Sequence, residues 1–145
     1  MCKIGDIIGV PKSIGDGGNV IGFHYYIVIS DKRGTIEGFD FDKVASVMSS
    51  FHSEEEKKKK LKHEENLEIT TTNFKLNDKE EKEGYIKADQ LHYFDKKKTK
   101  FFEVGRIDIE LYNRLVSLIQ YLDEKGKLKK NTRNLKVSNK EEQPV

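Results

Sequence analysis

Few side chains in this chain can move a proton near neutral pH, and His24 stands first among them. Its imidazole, with an ordinary pKa of about 6.5, both takes and returns protons in that range. It lies close to a stretch holding Gly15, Gly17 and Gly18, where a substrate can approach. The competing reading is a half-exposed strand histidine packed between aromatics. Lys12 precedes the same stretch and offers charge to a phosphate, although most single lysines are solvated surface residues. Phe23, Tyr25, Tyr26 and Phe51 have faces on which unpaired bases can stack. Neighbours on a strand alternate sides, so about half of these point outward and the others belong to the core. Gln90 and Asp89 either contact a base or hold a local turn.

Other chemistries have less behind them. His52, His63 and His92 do not have the spacing of a helical pair, and no cysteine lies near them, so no metal or other cofactor is expected. Gly15 to Gly18 lacks the lysine–serine ending and following helix of a phosphate loop. Cys2 is the single cysteine, which excludes a disulfide within the chain. It reads as a residue of a frayed terminus rather than a reactive thiol. The run Lys57 to Lys60 reads either as a phosphate contact, with salt-sensitive affinity, or as a solvated helix face.

The elements that must hold these residues are mostly strands. Ile7, Ile8 and Val10 form a first strand that Pro11 ends. Residues 12–21 are expected to be a mobile loop. Gly22 to Ser30, aromatic and β-branched, is the strongest strand, and Asp31-Lys32-Arg33-Gly34 is a turn signature. Thr35 to Phe39 and Lys43 to Ser50 read as further strands. Ser53 with Glu56 makes a capping box opening a short exposed helix over 54–62. Leu67 to Thr72 reads as a strand and 75–83 as a charged loop. Tyr85 to Ala88 and Tyr93-Phe94 read as two short strands around Asp89-Gln90-Leu91, with another over Phe101 to Val104. Asp108 is a good N-cap for a last helix, in which Leu111, Leu115, Leu118, Ile119 and Leu122 recur at helical steps before Gly126.

The chain's 145 residues fit one domain, and its 35% hydrophobic and 36% charged residues describe a modest core with charged loops. The division expected is a folded domain over 1–126 and a basic, polar tail over 127–145 without ordered structure. No apolar run reaches the ~20 residues of a membrane helix, and residues 1–12 lack a signal-peptide core, so a cytoplasmic location is expected. A net charge of +2 is too small to establish nucleic-acid binding by itself. Many short strands, one small helix and a final amphipathic helix suggest a mainly β fold, a small barrel with a helix against it.

The order of these segments resembles the MazF/PemK toxins. Gly5-Asp6-Ile7-Ile8-Gly9-Val10 looks like that family's opening strand, and residues 12–21 look like its flexible first loop. His24-Tyr25-Tyr26-Ile27-Val28-Ile29-Ser30 is similar to the strand that usually carries arginine-proline before valines and isoleucines. Val44 to Ser50 resembles the strand ending in the family's catalytic threonine or serine. The segments from Lys60-Leu61 through Ile69, and from Gly84 to Leu91, resemble later family segments, as do Gly105-Arg106-Ile107 and the final helix. The resemblance covers residues 3–124. It departs at one point: the usual catalytic arginine is not evident. If Tyr25-Tyr26 takes the arginine-proline place, a tyrosine stands for the arginine, with His24 one position earlier.

The resemblance implies an SH3-like barrel and a toxin that cuts single-stranded RNA without metal, leaving a 2′,3′-cyclic phosphate and a 5′-hydroxyl. It implies a homodimer with RNA along the dimer groove and a protein antitoxin that masks that groove. His24, one position before the arginine's place, is the candidate for proton transfer on its own chemistry. Ser49 is the candidate hydroxyl donor, with Ser50 as its one-residue alternative. Lys12, Tyr25 and Gln90 are candidates for holding substrate, and Arg106 reads as structural. Two other classes remain open. One is a toxin on the same fold that binds DNA gyrase instead of cutting RNA. The other is a barrel that binds RNA or protein and is not a toxin.

Overall fold

The computed structural model describes residues 3–76 and 83–135, so Cys2, most of the charged loop expected at 75–83 and the tail after Leu135 lie outside the described residues. Twelve strands and two helices are present among them. The main sheet contains β1 (Asp6–Val10), β4 (His24–Ser30), β7 (Lys43–Ser50), β8 (Asn66–Ile69), β9 (Phe74–Leu76), β10 (Gly84–Phe94), β11 (Phe102–Ile107) and β12 (Lys129–Arg133). Its order is β12-β10-β7-β4-β1-β11-β9, with β8 also on β10, and it curls into a half-barrel. All pairings are antiparallel except β10 with β12. Two small hairpins lie beside it: β2 (Ser13–Ile14) with β3 (Val20–Ile21), and β5 (Gly34–Ile36) with β6 (Phe39–Phe41). The architecture is mainly β, as expected.

Each face of the curled sheet buries its own apolar cluster. On one face Ile7, Ile27, Ile69, Ile86 and Ile107 pack against Leu111, Leu115 and Leu122 of α2 (Ile109–Glu124). Asp108 caps that helix, its Oδ1 accepting from Leu111 N at 2.7 Å. Truncating one of those leucines to alanine removes about 2–5 kcal/mol. On the other face Ile8, Val10, Tyr26, Val28, Ala45, Val47 and Phe94 form a second cluster. The short α1 (Glu54–Leu61) buries no residue and stands on its cap, with Ser53 Oγ accepting from Glu56 N at 3.0 Å.

Three expectations need correction. Thr35 to Phe39 is not one strand: Glu37 (φ 52°) and Gly38 (φ 85°) are both left-handed, the geometry of a tight hairpin turn, and split it into β5 and β6. Tyr85–Ala88 and Tyr93-Phe94 are not two strands either. They are halves of the 11-residue β10, whose pairing with β7 shifts register between Ile86 and Leu91.

The third correction concerns both ends of the expected domain. The tail expected to be without order from residue 127 instead supplies β12, and Leu135 beyond it is 1% exposed. The loop 12–21, expected to be mobile, is stapled to that strand. Asp16 Oδ1 accepts from Thr132 N at 2.6 Å and also from Thr132 Oγ1. Ile14 N donates to Asn134 Oδ1 at 2.6 Å, and Asn134 N donates to Ile14 O at 2.8 Å. Three polar residues, Asp16, Thr132 and Asn134, thereby do what an apolar stripe would otherwise have done. Replacing Asp16 with alanine leaves the buried Thr132 hydroxyl and amide without this acceptor, at a cost of about 1–3 kcal/mol. The expected result is a lower urea midpoint and faster proteolysis within 127–135; an unchanged midpoint would mean that the staple contributes nothing.

Candidate functional site

Strand alternation decides which candidates can meet. On β4, Tyr26 and Val28 belong to the second cluster and Ile27 to the first, so His24 lies on the side of Tyr26, at its exposed end. The β4–β7 ladder pairs Tyr25 with Met48 and Tyr26 with Val47. Carrying that register one step further sets Ser49 opposite His24, on the same face. Ser49 also pairs with Tyr85 of β10. At the next pair, Ser50 with Gly84, a Cβ on the glycine would collide with the Ser49 carbonyl oxygen. The absent side chain is what allows β10 to lie so close beside Ser49. Ser50 is exposed and belongs to the opposite face, so of the two serines only Ser49 shares a face with His24.

Below His24 the second cluster turns polar. The Tyr26 ring stands edge-on to His92 at 5.2 Å and to Phe94 at 5.1 Å, and His24 is 6.2 Å from Tyr26. Arg133, which pairs with Phe94, comes onto this face from β12, and its guanidinium faces the Tyr26 hydroxyl as a donor. His92 is 2% exposed and neither ring nitrogen has a partner.

The electrostatics follow from this company. Burial first, then the charges of Lys87 and Arg133, hold the His24 pKa below its ordinary value, so the imidazole is neutral at physiological pH. Burial pushes His92 much further, to about 3, with Arg133, His24 and Lys87 acting in the same direction. Burial raises the Tyr26 hydroxyl, and Arg133 opposes that rise. The result is a neutral, accessible base ringed by positive charge, next to a hydroxyl. Such a site suits abstraction of a proton from a substrate that carries negative charge.

Other sequence candidates fall elsewhere. Tyr25 sits on the face opposite His24, half-buried against the first cluster and edge-on to Phe23 at 4.9 Å. Tyr25 and His24 therefore do not share a face: a one-residue step along a strand reverses the direction of a side chain. Lys12 is exposed, two residues past Val10, the partner of His24. Gln90 is half-buried and shares the face of His92, two positions along β10. Asp89 has its pKa raised, first by burial and then by the charge of Glu65. His52 and His63 are exposed on separate segments, and among the described residues no three His, Cys, Asp or Glu side chains converge. Lys57, first of the lysine run, bridges Glu83 at 3.1 Å and Glu68 at 3.4 Å. Arg106 lies 3.9 Å from Asp6, at a separate cleft of about 490 Å³ lined also by Phe74, Ile109 and Tyr112.

Sequence reasoning missed Lys87 and Arg133 and weighed His92 only as a metal ligand. No local signal marks Arg133: the segment Lys129–Arg133 contains no apolar residue, so nothing in it announces a buried strand. No family model matches the chain, and no curated protein or solved structure matches it.

His92 sets an acid limit on stability. Its folded pKa of about 3 lies below the unfolded value of 6.5, so the unfolded chain takes the proton first. Stability is complete above pH 6.5 and falls as the pH drops towards 3, by on the order of 4 kcal/mol across that window. His24, shifted the same way, adds to the slope. In His92→Phe, which keeps a flat ring and removes two unpartnered nitrogens, the unfolding free energy should vary less with pH between 6.5 and 3. An equally steep dependence would remove His92 as its source.

Proposed function

We propose that this protein is a metal-independent endoribonuclease of the MazF/PemK toxin type, on an SH3-like barrel, with His24 as its proton-transfer residue. The observation that carries the reading is the placement of a neutral, exposed His24 across from Ser49, inside the field of Lys87 and Arg133. In the reaction the 2′-oxygen of RNA attacks the adjacent phosphorus. The O2′–P bond forms, the P–O5′ bond breaks and no water is consumed. His24 takes the 2′-hydroxyl proton, and its imidazolium returns a proton to the departing 5′-oxygen, leaving a 2′,3′-cyclic phosphate and a 5′-hydroxyl. The Ser49 hydroxyl donates to a phosphoryl oxygen as charge accumulates there. Gln90, on the face of His92, and Lys12, two residues past the end of β1, are the candidates for holding flanking nucleotides. The toxin reading carries two partners with it, a second copy of the chain and a protein antitoxin.

The test is incubation of the full chain with a long single-stranded RNA in EDTA, with new 5′ ends mapped. Discrete cuts are expected, reduced about 10²-fold or more in His24→Ala and less severely in Ser49→Ala. Cleavage should require unprotonated His24, so the rate should fall on the acid side with a midpoint below 6.5. Cuts retained in His24→Ala would discard the assignment of His24. A folded protein that stops growth without cutting RNA would point to the gyrase-binding class. Light scattering at micromolar concentration should give a dimer mass, and a monomer would count against the toxin reading.

A further inference from the structure

Arg133 is 9% exposed, and among the described residues no carboxylate forms an ion pair with it. Its Nη1 donates to the neighbouring Thr132 carbonyl at 2.8 Å and the guanidinium also faces the Tyr26 hydroxyl, but its Nε has no partner. A guanidinium withdrawn from water ordinarily gains a carboxylate or phosphate, because its desolvation is otherwise uncompensated. The carboxylate bound to β12 is that of Asp16, and it is engaged by Thr132. Adjacent strand residues point to opposite faces, so Asp16 lies on the other side of the strand from Arg133. The groups that feel the charge of Arg133 are His24 and Tyr26 from β4 and His92 from β10, none of them an anion. His92 adds a second buried donor with no acceptor. Arg133 Nε and a His92 ring nitrogen are thus donors without an acceptor on one face of the sheet, each on a residue more than nine-tenths buried, and an oxyanion is the kind of group that would satisfy both.

We propose that Arg133, with His92 beside it, binds a phosphodiester oxygen of single-stranded nucleic acid, and so supplies from β12 the positive charge that β4 lacks. The choice of phosphodiester rests on the ribonuclease reading; the oxyanion site does not. Guanidinium donors hold phosphoryl oxygens in two parallel hydrogen bonds, which fixes orientation as well as charge. With the phosphate held there, the 2′-hydroxyl of the preceding nucleotide comes to His24, and Arg133 neutralises charge that builds up on the phosphoryl oxygens.

The test uses the full chain with isotope-labelled histidines and two probes, inorganic phosphate and a single-stranded 2′-deoxy oligonucleotide. The oligonucleotide has no 2′-hydroxyl, so binding is read without cleavage. With either probe, the His24 and His92 signals should move while those of exposed His52 and His63 stay, and the apparent pKa of His24 should rise as the anion offsets Arg133. Arg133→Gln should weaken the oligonucleotide at least about tenfold and lower the slope of log affinity against log salt by about one. The wild-type response decides the matter even if the variant folds poorly: silent His24 and His92 signals with both probes would overturn the proposal. An oligonucleotide that binds a folded Arg133→Gln protein undiminished would also overturn it. A response to inorganic phosphate without one to the oligonucleotide would overturn the nucleic-acid assignment. A full response in a protein that never cuts RNA would keep the site and remove the nuclease.

Discussion

A strand in the interior of a sheet has two rows of backbone donors and acceptors, and both must be satisfied. In β10 this requirement falls on eleven consecutive residues. One edge is taken by β7 over both halves. The other is divided: β8 takes Gly84 to Lys87 antiparallel, and β12 takes Gln90 to Phe94 in parallel. At the join, the Ala88 amide turns to the Glu65 carbonyl at 2.9 Å. The register shift between Ile86 and Leu91 lets one strand serve both neighbours. Without β12, the second half of β10 would present an open edge and His92 would lose its neighbour. Much else follows from filling that edge, including the docking of loop 12–21 and the burial of Arg133.

The two faces of the sheet divide the work. The face under α2 is an ordinary apolar core of isoleucines and leucines. The other begins as a core at Ile8, Val28 and Ala45 and becomes polar towards His24. Tyr26 marks the change, with its ring against Phe94 and its hydroxyl towards Arg133. An aromatic side chain with a polar end suits such a boundary, since the ring can be buried while the hydroxyl keeps a partner.

Positive charge and burial act in the same direction on the two imidazoles there. Arg133 and Lys87 depress both histidines, and burial does the same with greater effect on His92. An anion arriving at Arg133 would offset that cation's influence at His24.

The local elements were legible in the sequence because their causes are local. The Ser53 and Asp108 caps, the leucine spacing of α2 and the β-branched run in β4 each act within a few residues, and the structure has them where those signals lie. His24 as an exposed residue near the end of a strong strand was legible for the same reason. Tertiary structure alone decided three other matters. It put Ser49, and not Ser50, on the face of His24, because register is a property of two strands and not of one. It turned Tyr25 away from His24 by the same alternation that brought in Tyr26. It also made a strand of Lys129–Arg133, a segment without an apolar residue, by pairing it in parallel to a strand 35 or more positions earlier and stapling it to Asp16. A polar segment carries no hydrophobic period to announce a strand. Its order comes from hydrogen-bond partners that only the folded chain brings within reach, and Arg133 becomes a buried cation only when they do.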